Sequence, residues 1–181
     1  VDLGLIADVI HAKTDRFNLQ YQIIPSTSSK DSLNQIISQH PKENGIIYAA
    51  TRQRVTSTYQ FLKSIHSEVL HYHGGLDANF RQAQQKHFAL SQAALMVATL
   101  AFGMGIDKQD IRYIVHMDIP SRLDQFVQES GRAGRDGQKA YSYLLYNPIH
   151  FLEFNLWKIR EAPPLLQAEL IEELKQMGQF I

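Results

Sequence analysis

The chain has 181 residues, 44% of them hydrophobic, and its 18 basic and 18 acidic side chains give a formal net charge of zero. This composition predicts one compact domain with an ordinary core, and the balanced charge excludes a protein whose whole surface binds nucleic acid. The absence of cysteine excludes disulfides and the commonest soft metal ligand, so we predict no metal site. No apolar run reaches membrane-spanning length and no secretion signal opens the chain, so we expect a cytoplasmic or nuclear protein without a membrane partner.

The first part of the chain alternates short apolar segments with helical patterns. Residues 17–25 alternate as a strand, and residues 26–40 carry serines able to cap a helix, followed by apolar residues at helical spacing. Asn44-Gly45 reads as a turn into the short apolar strand 46–50. Short apolar strands separated by helices predict an α/β fold with a mostly parallel sheet covered by helices on both faces.

A capped helix start is predicted directly after strand 46–50. Thr51 is placed as the helix N-cap, and Val55, Tyr59 and Leu62 form the inner face. Anions bind at helix N-termini beside the carboxyl ends of parallel strands, because free N–H groups and the helix dipole both point there. We therefore predict that Thr51 and Arg52 contact phosphate groups. The alternative is a capping threonine beside a solvated arginine.

The next strand is followed by a Gly-Gly loop and a helix whose inner face is predicted to carry Phe80, Gln84 and Phe88. His71 and His73 lie on one face of that strand, as a pair of metal ligands would. We reject a metal site here because no third ligand follows at a usual spacing. For His73 an ordinary hydrogen-bonded histidine and a contact to a ligand both remain open.

The central stretch 94–137 begins with a buried strand and a glycine-punctuated loop. Thr99 follows the strand, where its hydroxyl can reach a phosphate. Gly103 and Gly105 allow the backbone to approach a ligand closely, and Asp107 is placed to contact a sugar. We predict that these residues meet a polyanionic ligand.

An arginine pair closes the same stretch. Residues 124–130 have a helical pattern, and Gly131 stands where that helix would end. Arg132 and Arg135 follow, and arginine suits a phosphate site because its planar fork binds two oxygens and stays charged. We predict that both arginines contact the outer phosphate of a nucleotide, as arginine fingers do. For these residues alone, a solvated turn is the alternative.

These segments resemble the motifs of superfamily-two helicases. ATLAFGMGIDK (98–108) resembles motif V and QESGRAGRDG (128–137) resembles motif VI. The segments AFGMGI, HMDIP and QESGRAGRDG are similar to sequences of the RecQ family of DNA helicases. The resemblance covers most of residues 15–148, since it includes DRFNLQY (15–21), GIIYAATRQRV (45–55, like motif IV) and YHGGLD (72–77, like motif IVa).

The resemblance implies a particular fold and domain order. It implies a three-layer RecA-like lobe over residues 15–148, preceded by the tail of another segment (1–14). A C-terminal helical extension is predicted at 149–181, where apolar residues recur at helical spacing. RecQ-like proteins commonly continue into a cysteine-ligated zinc module. Since this chain has no cysteine, we expect that module either to be absent from the protein or to lie outside this chain.

The resemblance also implies a mechanism. The chain lacks the G-x-x-x-x-G-K-[ST] loop, so ATP and Mg²⁺ would be bound mainly by a first RecA-like lobe of the same polypeptide. This lobe would complete that site and hold single-stranded or duplex DNA, with 3′ to 5′ unwinding and a place in DNA repair or recombination. The implied catalytic residues are Arg132, Arg135 and Gln128, the nucleotide contacts are Gly103, Gly105 and Asp107, and the nucleic-acid contacts are Thr51, Arg52, His73, Gly74 and Thr99.

Two alternatives remain at this point. A DEAD-box-like lobe would act on RNA, although those proteins usually carry ARG-x-D and HR-x-GR-x-GR sequences instead of the wording found here. A domain that binds nucleic acid without hydrolysing ATP is the second alternative.

Overall fold

The computed structural model describes residues 16–103, 107–120 and 123–147, with isolated positions between 160 and 171. The predicted tail 1–14 and nearly all of the predicted extension 149–181 lie outside the described residues. Strands and helices alternate in the order β1 (Leu19–Pro25), α1 (Ser29–Gln39), β2 (Asn44–Tyr48), α2 (Arg52–Lys63), β3 (Val69–Tyr72), α3 (Ala78–Leu90), β4 (Leu95–Ala98), β5 (Ile111–His116), α4 (Leu123–Ser130) and β6 (Ala140–Tyr146).

The six strands form one parallel sheet in the order β1-β6-β5-β2-β4-β3. β2 and β5, at the centre, are buried along their whole length, as expected for strands covered on both faces. The predicted parallel α/β fold is confirmed. None of the described helices is long and apolar enough to cross a membrane.

Helices cover both faces of the sheet. On the first face, Leu33 of α1 and Val55 and Leu62 of α2 pack on the sheet. On the second face, the core contains Phe88 of α3 and Phe102 of the loop between β4 and β5.

The predicted turn at Asn44-Gly45 is wrong, because both residues belong to β2. Asn44 is buried, where its side chain accepts from Ala94 N at 2.9 Å and donates to Asp110 Oδ2 at 2.8 Å. Gly45 is required by a close approach, since a Cβ there would lie 2.2 Å from Tyr113 Cζ. Asn44 therefore connects the starts of β2, β4 and β5, and Gly45 leaves room for the ring of Tyr113.

The predicted inner face of α3 is only partly correct. Phe88 is 1% exposed and lies in the core, whereas Phe80 is 41% exposed. Phe80 lies in the first turn of α3, beyond the edge strand β3, where its ring is 5.5 Å from the ring of His71. Helical spacing therefore predicted the buried position of Phe88 correctly and that of Phe80 wrongly.

Candidate functional site

Three neighbouring strands bring the predicted nucleic-acid residues to one edge of the sheet. Thr51 follows β2, His73 follows β3 and Thr99 follows β4, and these strands are adjacent in the order β2-β4-β3. A backbone hydrogen bond from Thr99 N to Tyr72 O, 3.1 Å long, ties two of the three strand ends together. We call Thr51, Arg52, His73, Gly74 and Thr99 the strand-end surface.

Two arginines at the start of α2, Arg52 and Arg54, have different surroundings. Thr51 Oγ1 accepts from Arg54 N at 3.2 Å, which confirms the predicted N-cap. Arg54 forms a 2.6 Å ion pair with Asp118 and belongs to the scaffold. Arg52 is exposed, and its guanidinium lies against the Gly-Gly loop, where a Cβ on Gly75 would be 3.2 Å from Nη1. Arg52 is thus the arginine of this helix that lies beside the Gly-Gly loop, whereas Arg54 is engaged by Asp118.

His73 holds the Gly-Gly loop from inside. Its side chain is buried, Nδ1 accepts from Gly75 N at 3.2 Å, and Nε2 lies 3.4 Å from Thr56 Oγ1. Burial, followed by the charge of Arg52, lowers the pKa of His73, which favours the neutral ring. The ring with its proton on Nε2 satisfies both contacts. Its bond to Gly75 N supports the loop that presents Gly74.

Sequence reasoning missed Arg81. Its Nη1 donates to Gly74 O at 3.1 Å and to Leu76 O at 3.0 Å, so it braces the loop that presents Gly74. Arg81 lies four residues after Asp77, which caps α3 through Asn79 N and Phe80 N. The arginine adds positive charge beside Arg52. The sequence could have indicated this role, because Arg81 lies in the first turn of a helix that follows a Gly-Gly loop.

His71, on β3, and His73, directly after it, have roles other than metal binding. His71 stacks on Tyr59 with ring centroids 4.0 Å apart, and its ring centroid is 6.1 Å from that of His73. Burial, followed by the charges of His73 and Lys63, lowers the pKa of His71. Within the part of the chain that the structure describes, no three acidic, histidine or cysteine side chains come together to hold a metal.

A second group of predicted residues lies in and beside the loop that follows α4. We call residues 131–137 the arginine loop. α4 ends at Ser130, and Gly131 N donates to Val127 O at 2.9 Å, so the predicted end of this helix is confirmed. Gly134 and Gly137 have φ values of 62° and 79°, which glycine adopts without strain.

Arg132 is bound to the loop between β4 and β5. Its Nη1 donates to Gly103 O at 2.5 Å, and a Cβ on Gly103 would lie 2.6 Å from Arg132 Nη2. Tyr48 also contacts this guanidinium while donating to Phe102 O at 3.2 Å, and burial raises the pKa of Tyr48. Gly103 is therefore needed so that the Arg132 guanidinium can approach the backbone of this loop.

Arg135 is more exposed to solvent than Arg132, whose Nε is buried. Its Nη1 lies 3.4 Å from Asp107 Oδ1, and the exposed fractions of the two side chains are 33% and 81%. Such an exposed, long ion pair is worth little and is readily exchanged for another anion. Gln128 is exposed on α4. Gly105 lies outside the described residues.

Side chains from the segment directly before β1 hold the arginine loop in place. Arg16 Nη1 donates to Gly131 O at 2.9 Å, and Nη2 donates to Ala133 O at 2.7 Å and Gly134 O at 2.6 Å. Asn18 Nδ2 donates to Gly134 O and Gln138 O, both at 2.8 Å. These side chains lie more than 110 residues from their partners in the sequence, where local patterns carry no signal.

A buried pair anchors α4 just before the arginine loop. His116 Nε2 lies 2.8 Å from Glu129 Oε2, and Gln125 donates to the other carboxylate oxygen at 2.9 Å. The His116 and Glu129 side chains are 2% and 8% exposed. The helix that leads into the loop is thus fixed to the centre of the sheet.

Comparisons with known proteins agree with this geometry. Residues 28–137, more than half of the chain, match the family described as the helicase conserved C-terminal domain. The chain is 36% identical over 173 residues to the ATP-dependent DNA helicase RecQ of Bacillus subtilis, covering 96% of this chain and 29% of that protein. It is 37% identical over 137 residues to the RecQ-like DNA helicase BLM of Xenopus laevis, covering 74% and 10% respectively.

A solved structure shows the same fold. Domain 2 of the Mss116p DEAD-box helicase, bound to an RNA duplex, superimposes with a TM-score of 0.63 at 19% identity, covering 86% of this chain and 68% of that one. The RecA-like fold class is therefore confirmed. The chain belongs to the helicase conserved C-terminal domain family.

Within that family, the chain is a C-terminal helicase lobe of the RecQ type, as its identity to RecQ proteins over most of its length shows. The predicted resemblance is confirmed. The chain spans less than a third of the length of these relatives.

Proposed function

We propose that this chain is the second motor lobe of an ATP-dependent DNA helicase with 3′ to 5′ polarity. In this proposal a first lobe of the same polypeptide binds most of the ATP and Mg²⁺. The second lobe brings the arginine loop to the nucleotide and holds single-stranded DNA on the strand-end surface. The observation that carries the proposal is the placement of the arginines: Arg132 and Arg135 lie in one loop beside Gly103 and Asp107, and Arg52 lies after a strand end beside the Gly-Gly loop.

The arginine loop fits the outer phosphates of a nucleotide. Arg132 Nε is buried without a hydrogen-bond partner among the described residues, although its Nη1 is engaged by Gly103. Arg135 is exposed and forms a long ion pair with Asp107. A phosphate offers several oxygens to such a pair of guanidiniums, and it would take the place of the Asp107 carboxylate on Arg135.

The residues of this lobe have distinct tasks in the proposal. When bound, ATP supplies the phosphoryl group whose transfer to water releases free energy. Arg135 stabilises the negative charge that develops on the outer phosphate, Arg132 holds the loop between β4 and β5 at Gly103, and Gln128 lies on the exposed side of the same helix end. Asp107 is released from Arg135 to meet the sugar. These tasks require closure of the two lobes, which excludes water from the reacting atoms.

The strand-end surface fits the backbone of a single strand. The exposed N-terminus of α2, with Thr51 and Arg52, offers N–H groups and a guanidinium to a phosphate. Gly74 brings backbone close to the strand because it carries no side chain, and Thr99 offers a hydroxyl from the adjacent strand end. His73 contributes by fixing the loop. None of these contacts reads a base, so binding is expected to be independent of sequence.

Strand displacement by the full-length protein tests the proposal. A labelled DNA duplex with a 3′ single-stranded tail is incubated with ATP and Mg²⁺, beside duplexes with a 5′ tail or an RNA tail. We expect displacement from the 3′-tailed DNA alone. Displacement from the RNA-tailed duplex alone would assign the lobe to RNA, and ATP-independent binding without displacement would contradict a motor function.

A further inference from the structure

The segment before β1 contains polar side chains that turn inward and an aromatic side chain that does not. Arg16 and Asn18 are half-buried, whereas Phe17 between them is 92% exposed. Burial of apolar surface would favour the opposite arrangement. Hydrogen bonding, and not burial, therefore determines how this segment lies on the lobe.

The bonds from this segment converge on the arginine loop. The carbonyl oxygens of Gly131, Ala133 and Gly134 accept from Arg16, and Gly134 O also accepts from Asn18. A Cβ on Gly134 would lie 2.5 Å from Asn18 Nδ2, so the amide fills the space that a side chain would take.

The side chains of Arg16 and Asn18 act on the loop. β1 pairs with β6 from Leu19 onward, and the main chain of Asn18 extends this pairing, since Asn18 O accepts from Ala140 N at 2.8 Å. Main-chain bonds therefore set the register of the sheet. The loop needs the two side chains, because glycines at positive φ leave its backbone many alternative conformations.

We propose that Arg16 and Asn18 are positioning residues that fix the arginine loop in the conformation in which Arg132 and Arg135 meet the nucleotide. This inference rests on the proposed function of the loop. Since the first lobe is proposed to precede this one in the chain, the segment that enters the second lobe is also the segment that shapes its catalytic loop. A displaced entry segment would therefore loosen the arginine loop.

Hydrogen exchange in the full-length protein tests the geometry independently of activity. In Arg16→Ala and Asn18→Ala, amides of residues 131–138 should exchange about tenfold faster or more, because the carbonyls that hold the loop lose their donors. Phe17→Ser is the matched control, and it should leave those amides unchanged. Unchanged exchange in both Arg16→Ala and Asn18→Ala would overturn the inference.

Steady-state kinetics distinguish positioning from mere stabilisation. With saturating single-stranded DNA, Arg16→Ala should lower kcat for ATP hydrolysis about 10- to 100-fold with KM for ATP within about threefold, since a small displacement of a catalytic group has effects of this size. DNA affinity should be unchanged. Arg16→Lys should be intermediate, because an ammonium cannot reproduce the fork that meets three carbonyls.

A double-variant cycle completes the test. Arg16→Ala added to Arg135→Ala should lower kcat no further than Arg135→Ala alone, since both act through one loop. Additive losses, or faster exchange with unchanged kcat, would reduce Arg16 to a structural role and overturn the inference. If Arg16→Ala does not fold, Asn18→Ala and Arg16→Lys carry the same comparisons. Failure of the proposed function is seen separately, as unaltered hydrolysis in Arg135→Ala itself.

Discussion

The strand-end surface and the arginine loop both present positive charge, but different contacts hold them. Thr51 caps its own helix, His73 bonds to a residue two positions away, and Arg81 bonds to carbonyls within seven positions. Arg132 and Arg135 instead contact residues 29 and 28 positions away, and Arg16 reaches the loop across 115 positions or more. Bonds to nearby residues shape each element of the strand-end surface, which the sheet then brings together, whereas contacts with distant residues hold the arginine loop.

This difference has a functional consequence. Each element of the strand-end surface keeps its shape once its own helix or loop forms on the sheet, which suits continuous contact with a nucleic-acid strand. A region held by distant segments changes when those segments move, which suits a catalytic loop that must act only after the lobes close. The predictions below change one region at a time.

The largest expected effect is the loss of ATP hydrolysis when the arginine loop is changed. In the full-length protein, Arg135→Ala should reduce DNA-stimulated ATP hydrolysis by about 10³-fold or more, because an arginine finger contributes that much to phosphoryl transfer. Steady-state hydrolysis measures the loss, and fluorescence anisotropy should show unchanged affinity for single-stranded DNA. Arg135→Lys is the control that keeps the charge and removes the fork. Turnover within about threefold of the unaltered protein would remove Arg135 from catalysis.

The same substitution, glycine to alanine, can be made at Gly103 beside the arginine loop and at Gly74 in the strand-end surface. Gly103→Ala should lower hydrolysis about 10- to 100-fold, since its Cβ would lie 2.6 Å from Arg132 Nη2 and displace that guanidinium. Gly74→Ala should leave basal hydrolysis, without DNA, unchanged, because its Cβ meets Arg52 Nη2 only at 3.6 Å, an ordinary contact. The same ATPase assay compares the two. Equal losses in both variants would mean that the regions are not independent.

A smaller effect is expected from the strand-end surface. Arg52→Ala should weaken single-stranded DNA binding and reduce the slope of log affinity against log salt by about one, the share of one phosphate contact. Titrations at several salt concentrations give this slope. Lys63→Ala is the matched control, since it removes one positive charge from the other end of α2. An unaltered slope in Arg52→Ala would make Arg52 a surface residue.

The smallest expected effect is on the pH dependence of stability. The pKa of His73 is lowered mainly by burial, and that of His71 likewise, so the unfolded chain binds more protons than the folded one just below pH 6.5. The free energy of unfolding should therefore fall as the pH drops through about 6.5 and below. Thermal unfolding at several pH values measures this. His73→Asn, which retains an acceptor for Gly75 N, should flatten the dependence; a profile as steep as before would exclude His73 as its source.

The same division explains what the sequence could predict. The N-cap at Thr51, the buried Phe88 and the end of α4 follow from local chemistry, and all were predicted correctly. The motifs that resemble those of RecQ helicases placed the arginines and the strand-end residues in two groups. Sequence position alone could do no more, since the roles of those residues depend on partners that only the fold supplies.

The errors and omissions have physical reasons. Asn44 looks like a turn residue, yet its amide joins strands that meet only in the folded sheet. Phe80 follows the helical period but lies beyond the edge of that sheet. The donors to the arginine loop, Arg16 and Asn18, have no local signal because their acceptors are more than 110 residues away.

The central claim is that this lobe delivers Arg135 to a nucleotide bound mainly by another lobe. A structure of the full-length protein with single-stranded DNA, ADP, Mg²⁺ and aluminium fluoride tests it most directly. The account predicts that Arg135 leaves Asp107 and lies within hydrogen-bond distance of the fluoride that mimics the outer phosphate. A closed, DNA-bound structure in which Arg135 still pairs with Asp107, away from the nucleotide, would contradict it.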